Sequence, residues 1–395
     1  MSGISDLISC LEFLRALLRT PGMPGEEGEV ARLVAAEMER LGYDEVEPDE
    51  AGNVVGTIRG RGEAPPVMFN THLDHVDAGD PAAWEHPPFG GELADGRLWG
   101  RGAVDIKGPL AAQVHGAARL LREDAPPPGD VHVTAVVQEE VGGLGARHLV
   151  ERLSPPLAVV GEPSSNELRR GHRGRVELVL HARGRSAHAS APARSVNPLF
   201  TVARFLIGLE GLEMREDSDL GPSSVSPTLL RTDQRSRNVI PGEAWLTLDW
   251  RSVPGETAEE IRERLSDLAR GSRVEGASAE IEIPASSHTS YTGLTATVPA
   301  ENPPYALPED HPALATAGAV LEGALGRRPP VGTWTFATDG GHFARVGILV
   351  IGFGPGEEAL AHTVRESISV AEIEEALAGN AALAREWPRR MAAHL

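Results

Sequence analysis

The sequence contains 395 residues, with a formal net charge of −20, 41% hydrophobic residues and a single cysteine. This length predicts about two or three domains at roughly 150 residues each, and the surplus of carboxylates argues against nucleic acid as a partner. No apolar run approaches the roughly 20 residues that cross a membrane, and Asp6 lies where a secretory signal carries basic residues, so we expect a cytoplasmic protein without a membrane partner. Because Cys10 stands alone, any metal has to bind His, Asp and Glu.

Helical and strand-like patterns alternate over the first part of the chain. Apolar spacing at three and four predicts helices over residues 4–19 and 26–41, and residues 109–121 form an alanine-rich helical pattern. Strands are predicted over residues 53–58, 67–70 and 131–138. This alternation predicts a layered α/β domain.

The pattern changes after Gly174. A strand, a helix, a strand, a helix and a strand are predicted, in that order, over residues 175–182, 197–209, 243–251, 258–268 and 280–283. This order predicts a small inserted α+β domain. A helical pattern over residues 313–326 and an apolar strand near 347–351 then indicate that the first domain resumes.

The first group of polar residues follows an apolar strand, in the segment Asn70–Val76. Side chains two residues apart point to the same face of a strand, so His72 and Asp74 are expected to touch. A carboxylate that holds one imidazole nitrogen leaves the other nitrogen free to bind metal. An isolated His-x-Asp pattern is more typical of a solvated or core histidine than of a metal ligand, so its interpretation depends on further acids elsewhere in the sequence.

The second group is the glycine-rich segment Trp99–Gly108. A phosphate-binding loop is disfavoured because the G-x-x-x-x-G-K-[ST] order is absent and Pro109 follows directly. The glycines permit a tight turn in which both carboxylate oxygens of Asp105 can bridge two cations. Lys107, the only lysine in the chain, lies in the same turn, and its role is left open.

Acids also follow two further apolar strands. Glu139 and Glu140 come directly after one of them, and Glu162 follows the other. Neighbouring side chains diverge, so one glutamate of the pair can ligate a metal while the other faces a reacting water. The alternative is an exposed acidic turn, which we disfavour because an apolar strand of an α/β sheet commonly ends at a pocket.

The last group lies near the C-terminus and contains His362 after a series of glycines. Gly352, Gly354 and Gly356 do not form a dinucleotide fingerprint, because their spacing is G-x-G-x-G with a proline inside. A nicotinamide-dependent oxidoreductase is therefore disfavoured, and His362 is available as a metal ligand.

The order of these motifs resembles the metal-dependent aminoacylase and carboxypeptidase family, which includes acetylornithine deacetylase, succinyl-diaminopimelate desuccinylase and glutamate carboxypeptidase. The resemblance spans nearly the whole chain and indicates a less characterised branch. It rests on the ordered motifs H-x-D, G-R-G-x-x-D-x-K-G, Glu-Glu, Gly-Glu-Pro and a late histidine. It implies an α/β, zinc-peptidase-like catalytic domain with helices around a mixed sheet, over residues 1–175 and 291–395. Residues 176–290 are then an inserted α+β, ferredoxin-like lid and dimerisation domain.

The resemblance also implies a site for two divalent metal ions, with Zn²⁺ as first choice and Co²⁺ or Mn²⁺ as alternatives. By position, one ion is held by His72 and Glu162 and the other by Glu140 and His362, with Asp105 bridging them. Imidazole and carboxylate are ligands that Zn²⁺ accepts.

Further roles follow from the same resemblance. Glu139 matches the general base, and Asp74 matches the residue that orients His72. In a homodimer, His188 of the insert reaches the partner's active site and helps hold the oxyanion. Asn238 and Arg251 match lid positions that grip the carboxylate of the substrate, for which a guanidinium is suited, although Arg251 can equally pair with a nearby acid such as Asp249.

The turn containing Gly340 and Gly341 is expected to line the pocket with backbone groups. The predicted function is hydrolysis of the amide bond of small N-acyl amino acids or short peptides by a metal-activated water. Action on free-amine dipeptides is the alternative within this class. A binding protein without catalysis is the alternative of another class, and a serine nucleophile near His188 is disfavoured because spacing alone supports no triad. His75 and His342 lie beside the matched motifs without an assigned role.

Overall fold

A computed structural model describes residues 2–122 and 126–395 of the chain. The α-helices in these residues are α1 (Ser2–Leu18), α2 (Gly28–Leu41), α3 (Gly108–Ala118), α4 (Leu144–Leu149), α5 (Pro198–Glu210), α6 (Ala258–Ser272), α7 (Pro312–Leu325), α8 (Gly340–Arg345) and α9 (Val370–Met391). None of these helices has both the length and the apolar character of a membrane span in the described part of the chain.

The β-strands are short and distributed along the whole described chain. They are β1 (Glu45–Pro48), β2 (Val54–Ile58), β3 (Val67–His72), β4 (Glu92–Ala94), β5 (Arg97–Trp99), β6 (Val131–Val136), β7 (Leu157–Val160), β8 (Leu168–His172), β9 (Arg175–Arg183), β10 (Ala187–His188), β11 (Ser224–Thr232), β12 (Val239–Ile240), β13 (Glu243–Arg251), β14 (Ser278–Glu282), β15 (Ala285–Thr289), β16 (Thr295–Pro299), β17 (Glu301–Asn302), β18 (Tyr305–Ala306), β19 (Val331–Trp334), β20 (Leu349–Gly352) and β21 (Ser367–Ser369).

The chain divides into two compact units. The first unit consists of Met1–Gly171, Ser287–Ala296 and Ala306–Leu395, and the second of His172–Ser286 and Thr297–Tyr305. The insert was predicted to end at residue 290. Near this position the chain contributes Ser287–Ala296 to the first unit and Thr297–Tyr305 to the second, and it returns to the first unit at Ala306.

A nine-stranded mixed sheet lies at the centre of the first unit. Its order is β1-β2-β6-β3-β7-β20-β8-β18, with β19 beside β8. Strand β3 is parallel to both β6 and β7, with His72 opposite Val136 and Asn70 opposite Val160. All six residues of β3 are buried, as is typical of a strand covered on both faces. The carboxyl ends of these three strands therefore meet at one edge of the sheet.

Helices surround this sheet as predicted for the α/β class. Helix α9 packs against α3 and α7, and α1 packs against α3. Helix α2 ends at Gly42, whose φ of 92° lets its amide bond to the carbonyls of Met38 and Glu39. Most predicted elements agree with the observed ones within a few residues.

Several elements were not assigned from the sequence, among them helix α9 and strand β11. Helix α9 contains Pro388 and buries Asn380, which blurs its amphipathic pattern. Strand β11 has a largely exposed face and a register shift after Pro227, so it lacks the alternation that identifies a half-buried strand.

The second unit has the α+β arrangement predicted for the insert. Its antiparallel sheet has the order β11-β13-β9-β14, with β17 beside β9, and α5 and α6 pack against this sheet. Leu178, Phe205, Trp250 and Leu265 are buried in the core of this unit. Thr257 and Glu260 form a capping box that starts α6.

Candidate metal centre

Four of the predicted site residues come from the ends of three neighbouring parallel strands. His72 is the last residue of β3, Glu139 and Glu140 follow β6, and Glu162 follows β7. Because these strands end at the same edge of the sheet, residues 90 positions apart in the sequence are brought together by strand pairing. Two loops of the first unit supply the remaining ligands.

The predicted metal ligands form two groups that share one residue. His72, Asp105 and Glu162 form the first group, and Asp105, Glu140 and His362 form the second, with the ligand atoms of each group within 4.8 Å of one another. In the first group, His72 Nε2 lies 3.1 Å from Asp105 Oδ1 and 3.6 Å from Glu162 Oε1. In the second, His362 Nε2 lies 3.0 Å from both Asp105 Oδ2 and Glu140 Oε1. The two oxygens of Asp105 thus face different groups, as a bridging ligand requires.

Asp105 lies in a buried turn, Ala103–Lys107, that directly precedes α3. The turn begins after Gly102, whose φ of 81° is readily adopted only by glycine. The turn is completely buried, which fixes the position of its carboxylate relative to the sheet.

The imidazole of His72 is oriented by Asp74. His72 Nδ1 lies 3.0 Å from the backbone oxygen of Asp74 and 3.3 Å from its carboxylate Oδ1. Both neighbours are acceptors, so Nδ1 carries the proton and donates. Nε2 then presents its lone pair toward Asp105 and Glu162, which is the tautomer that a metal ligand needs.

Asp74 also holds the turn that carries the two adjacent glutamates. Its Oδ1 accepts the backbone N–H of Glu139 at 3.1 Å and its Oδ2 accepts that of Glu140 at 3.1 Å. The side chain of Asp74 is fully buried, so water does not compete for these hydrogen bonds. One carboxylate therefore contacts the imidazole of His72 and holds the backbone of Glu139 and Glu140.

Burial and mutual repulsion raise the pKa values of several acids at this edge of the sheet. Burial and then the charge of Asp339 raise the pKa of Glu139 well above its ordinary value. Burial and then Asp105 raise the pKa of Glu162 strongly and also raise the pKa of Glu140. So many carboxylates in a low-dielectric site require positive charge nearby.

The pKa values of the two histidines are also raised by the negative charge of these carboxylates. Hydrogen bonds to Asp105 and then Glu140 raise the pKa of His362 to about 10. Burial opposes a charge on His72, but hydrogen bonds with Asp105 and Asp74 outweigh it and raise the pKa of His72 well above its usual range. Imidazole and carboxylate are the donors that Zn²⁺ and similar ions bind, and such ions replace these protons. The residues therefore fit a pair of divalent metal ions.

Three residues without an assigned role are buried around this site. Lys107 Nζ donates to the backbone oxygen of Thr20 at 2.8 Å, and burial lowers the pKa of Lys107 to about 7. His75 Nε2 accepts the amide of Gly22 at 2.9 Å, and burial lowers the pKa of His75 to about 4. A neutral His75 thus anchors the loop before α2. His342 is buried in α8.

Sequence reasoning missed three buried acids near the ligands. Glu27 Oε1 accepts the backbone N–H of Gln138 at 3.2 Å. The carboxylate oxygens of Asp339, which is 2% exposed, have no hydrogen-bond partner among the described residues. Glu366 accepts the backbone N–H of Asp105 at 3.1 Å. In the sequence, these acids could have been suspected only from their distance to a motif. Asp339 directly precedes Gly340 of the predicted turn, and Glu366 follows His362 by four residues.

The predicted residues of the insert lie in the second unit. His188 is exposed on β10, and its Nδ1 lies 2.7 Å from Ser190 Oγ. Asn238 Oδ1 accepts a hydrogen bond from Ser236 Oγ at 2.6 Å. Arg251 pairs with Asp249, at 2.7 Å between Nε and Oδ1, so its guanidinium already has a carboxylate partner.

Gly340 and Gly341 begin helix α8 and are buried. The amide of Gly340 donates to Thr338 Oγ1 at 3.1 Å, and the amide of Gly341 lies 3.2 Å from the carbonyl oxygen of Thr338. These amides therefore stabilise the turn itself.

A mixed β-sheet that brings two histidines and three carboxylates into two groups with one shared aspartate is the arrangement expected of a two-metal hydrolase. Residues 68–386 match peptidase family M20/M25/M40, and the chain belongs to this family of metallohydrolases, which act on peptide and amide bonds.

Two relatives are similar to this chain in sequence, and one solved structure is similar to it in fold. The uncharacterized protein YgeY of Escherichia coli K12 is 32% identical over 95% of this chain and 93% of its own. The succinyl-diaminopimelate desuccinylase of Cereibacter sphaeroides ATCC 17025 is 31% identical over 91% of this chain and 93% of its own. The fold resembles that of Bacillus subtilis YxeP, a dinuclear metal binding peptidase, with a TM-score of 0.71 at 16% identity over 96% and 99% of the two chains.

Proposed function

We propose that this protein hydrolyses the amide bond of small N-acyl amino acids or short peptides, with Glu139 as the general base. The observation that carries the proposal is the position of Glu139, which is adjacent to the ligand Glu140 and is held through its backbone by Asp74. The similarity to a desuccinylase supports an N-acyl amino acid as substrate. The fold similarity to a peptidase keeps free-amine peptides as the alternative.

The chemistry divides between the ions and the side chains. Divalent ions in the two ligand groups, Zn²⁺ by first choice and Co²⁺ or Mn²⁺ otherwise, would lower the pKa of water toward about 7 and polarise the amide carbonyl. Glu139 accepts the proton of the attacking water at its carboxylate. It then donates that proton to the departing amine nitrogen, so no covalent acyl-enzyme is required.

We also propose that the functional enzyme is a homodimer, in which two copies of the chain contact each other through the second unit. Strand β11 lies at the edge of its sheet and exposes Leu229 and Leu230, by 59% and 48%. Helix α5 exposes Phe200 and Ile207, by 63% and 72%. An exposed edge strand with apolar residues favours pairing with another copy.

In this assembly, residues of the second unit take part in binding the substrate. His188 stabilises the oxyanion, and Asn238 and Arg251 bind the carboxylate of the substrate. For Arg251, this requires exchange of its Asp249 partner for the substrate. Gly340 and Gly341 are proposed to line the substrate pocket of the first unit.

The test is hydrolysis of N-acetyl, N-succinyl and N-formyl amino acids and of unblocked dipeptides by the wild type and Glu139→Gln. Each assay is run with Zn²⁺, with Co²⁺ and with a chelator, and metal content is measured in both proteins. We expect metal-dependent activity that falls about 10² to 10⁴-fold in Glu139→Gln while the metal content is unchanged. The exposed Glu151→Gln is the matched control and should retain activity.

The panel also separates the alternatives. Preference for blocked over free amines identifies a deacylase, and the reverse identifies a peptidase. Activity of Glu139→Gln equal to that of the wild type would exclude Glu139 as the base. If the metal-loaded wild type bound these substrates without cleaving them, the protein would be a binding protein.

A further inference from the structure

A fully buried carboxylate contacts the turn that carries the shared ligand. Glu366 is 0% exposed, and its Oε1 accepts two consecutive backbone N–H groups, from Val104 at 3.0 Å and from Asp105 at 3.1 Å. Its Oε2 lies 2.5 Å from Nη1 of Arg101, whose side chain is 3% exposed. The guanidinium of Arg101 in turn lies over the ring of Trp84, 5.1 Å from its centroid.

The same residue connects the two loops that supply ligands. Glu366 lies four residues after His362 and directly before β21, and its backbone oxygen accepts the amide of Gly100 at 3.1 Å. Strand β21 then pairs with β5, with Ser367 opposite Trp99. The segment of His362 and the turn of Asp105 are thus tied together through the main chain and the side chain of Glu366.

Stability alone does not account for this buried ion pair. Two charges lose their hydration when they are buried, and apolar residues of similar size commonly fill such a space without loss of stability. Apolar residues cannot, however, accept the amides of Val104 and Asp105. The specific contribution of Glu366 is therefore the orientation of these two peptide groups, and Arg101 supplies a counter-charge for its carboxylate in the interior.

We propose that Glu366 is a positioning residue of the metal centre, which holds the backbone of Asp105 so that its two carboxylate oxygens face both ligand groups. Arg101 supports it as its counter-ion. The proposal rests on the proposed function in that it requires the two groups to bind metal. Neither Glu366 nor Arg101 is itself a ligand in this assignment.

The test measures the metal affinity of the metal-free protein, by titration with Zn²⁺ against a chromophoric chelator. Loss of a residue that orients a ligand typically costs about 10- to 100-fold in metal affinity, and we expect a rise of this size in the Kd of Glu366→Ala. Glu366→Gln keeps an acceptor for the two amides but loses the ion pair, so it should lie near the lower end of this range. Circular dichroism verifies that each variant is folded.

Glu357→Gln is the matched control. Glu357 lies in the same C-terminal segment as Glu366, and its side chain is 52% exposed and pairs with Arg97. The Zn²⁺ affinity of this variant should therefore equal that of the wild type.

The same titration in an Asp105→Ala background separates positioning from general structural support. If Glu366 acts through Asp105, adding Glu366→Ala to that background has no further effect on the remaining affinity.

Two results would overturn the proposal. The first is a wild-type Zn²⁺ affinity in the folded Glu366 variants, with Glu366→Gln deciding the matter if Glu366→Ala does not fold. The second is an equal loss of affinity with and without Asp105, which would show a general structural role. A wild-type protein that binds no Zn²⁺, Co²⁺ or Mn²⁺ would refute the proposed function, and is thereby distinguished from both results.

Discussion

The carboxylate of Asp74 accepts the backbone N–H of Glu139 at 3.1 Å. A residue that follows β3 thus positions the proposed base, which follows the neighbouring strand β6. The other carboxylate oxygen of Asp74 holds the amide of Glu140 in the same way. The backbones of the proposed base Glu139 and the predicted metal ligand Glu140 are therefore held from one point by the same carboxylate.

Asp74→Asn should destabilise the protein. Asparagine has a single carbonyl oxygen, so the amide of Glu139 or Glu140 loses its acceptor and meets an NH₂ group instead. A buried group left without a partner costs about 1–3 kcal/mol, and we expect a loss of this size in urea unfolding of the metal-free protein. Asp77→Asn, in the exposed part of the same loop, should change stability by less than about 0.5 kcal/mol. Equal losses in the two variants would contradict this interpretation.

Glu27 should make the stability of the protein depend on pH. Burial and then the charge of Asp74 raise its pKa from 4.5 to about 7. Between these values the unfolded chain binds fewer protons than the folded one, so the contribution of Glu27 to stability falls as the pH rises and is lowest above pH 7. The shift corresponds to a change on the order of 3 kcal/mol.

Glu27→Gln tests this pH dependence, because glutamine retains an acceptor for the amide of Gln138 and does not ionise. The stability of the variant relative to the wild type should increase from about pH 5 to about pH 7.5, as measured by urea unfolding of the metal-free proteins at each pH. Glu26→Gln, at the exposed neighbouring position, is the control and should show a constant difference. A constant difference in Glu27→Gln as well would mean that Glu27 does not titrate in this range.

His362→Ala should reduce the metal content of the protein from two ions to one. The substitution removes the only imidazole of the second ligand group, whereas His72, Asp105 and Glu162 of the first group are unchanged. Metal content after dialysis against limiting Zn²⁺ measures this stoichiometry, and His394→Ala, which removes an exposed histidine, should retain two ions. Loss of both ions would show that the two groups do not bind independently.

Gly143→Ala should be more harmful than alanine at another left-handed glycine. Gly143 has a φ of +72°, and a Cβ there would lie 2.8 Å from His342 Nε2 and 3.1 Å from Asp339 Oδ1. Gly347 has a φ of +90° with no atom within 4 Å of a Cβ, so Gly347→Ala measures the backbone strain alone, about 1–2 kcal/mol. We expect Gly143→Ala to be less stable than Gly347→Ala by a further 1–3 kcal/mol or so, the usual cost of overpacking, in thermal or urea unfolding. Equal losses would indicate that His342 moves away freely.

Local patterns in the sequence were sufficient for much of the fold. Apolar spacing located most helices and the parallel strands, because the pattern of buried residues within one helix or strand is set by residues close together in the sequence. Acids and histidines at the ends of apolar strands indicated the ligand groups, and the order of the motifs indicated the family. The assignment of each ion to its ligands, and of His188, Asn238 and Arg251 to the substrate, came from resemblance and stays a prediction.

Only the tertiary structure showed how distant segments meet. Glu366 and Asp105 are 261 residues apart, and nothing in either local sequence indicates that one accepts the amide of the other. Glu27 and Gln138 are 111 residues apart and present the same difficulty. Such contacts depend on strand order and on the path of loops, which result from the packing of the whole first unit. The sequence by itself therefore indicated which residues are candidate metal ligands, and the tertiary structure decided which buried carboxylates contact the backbone beside them.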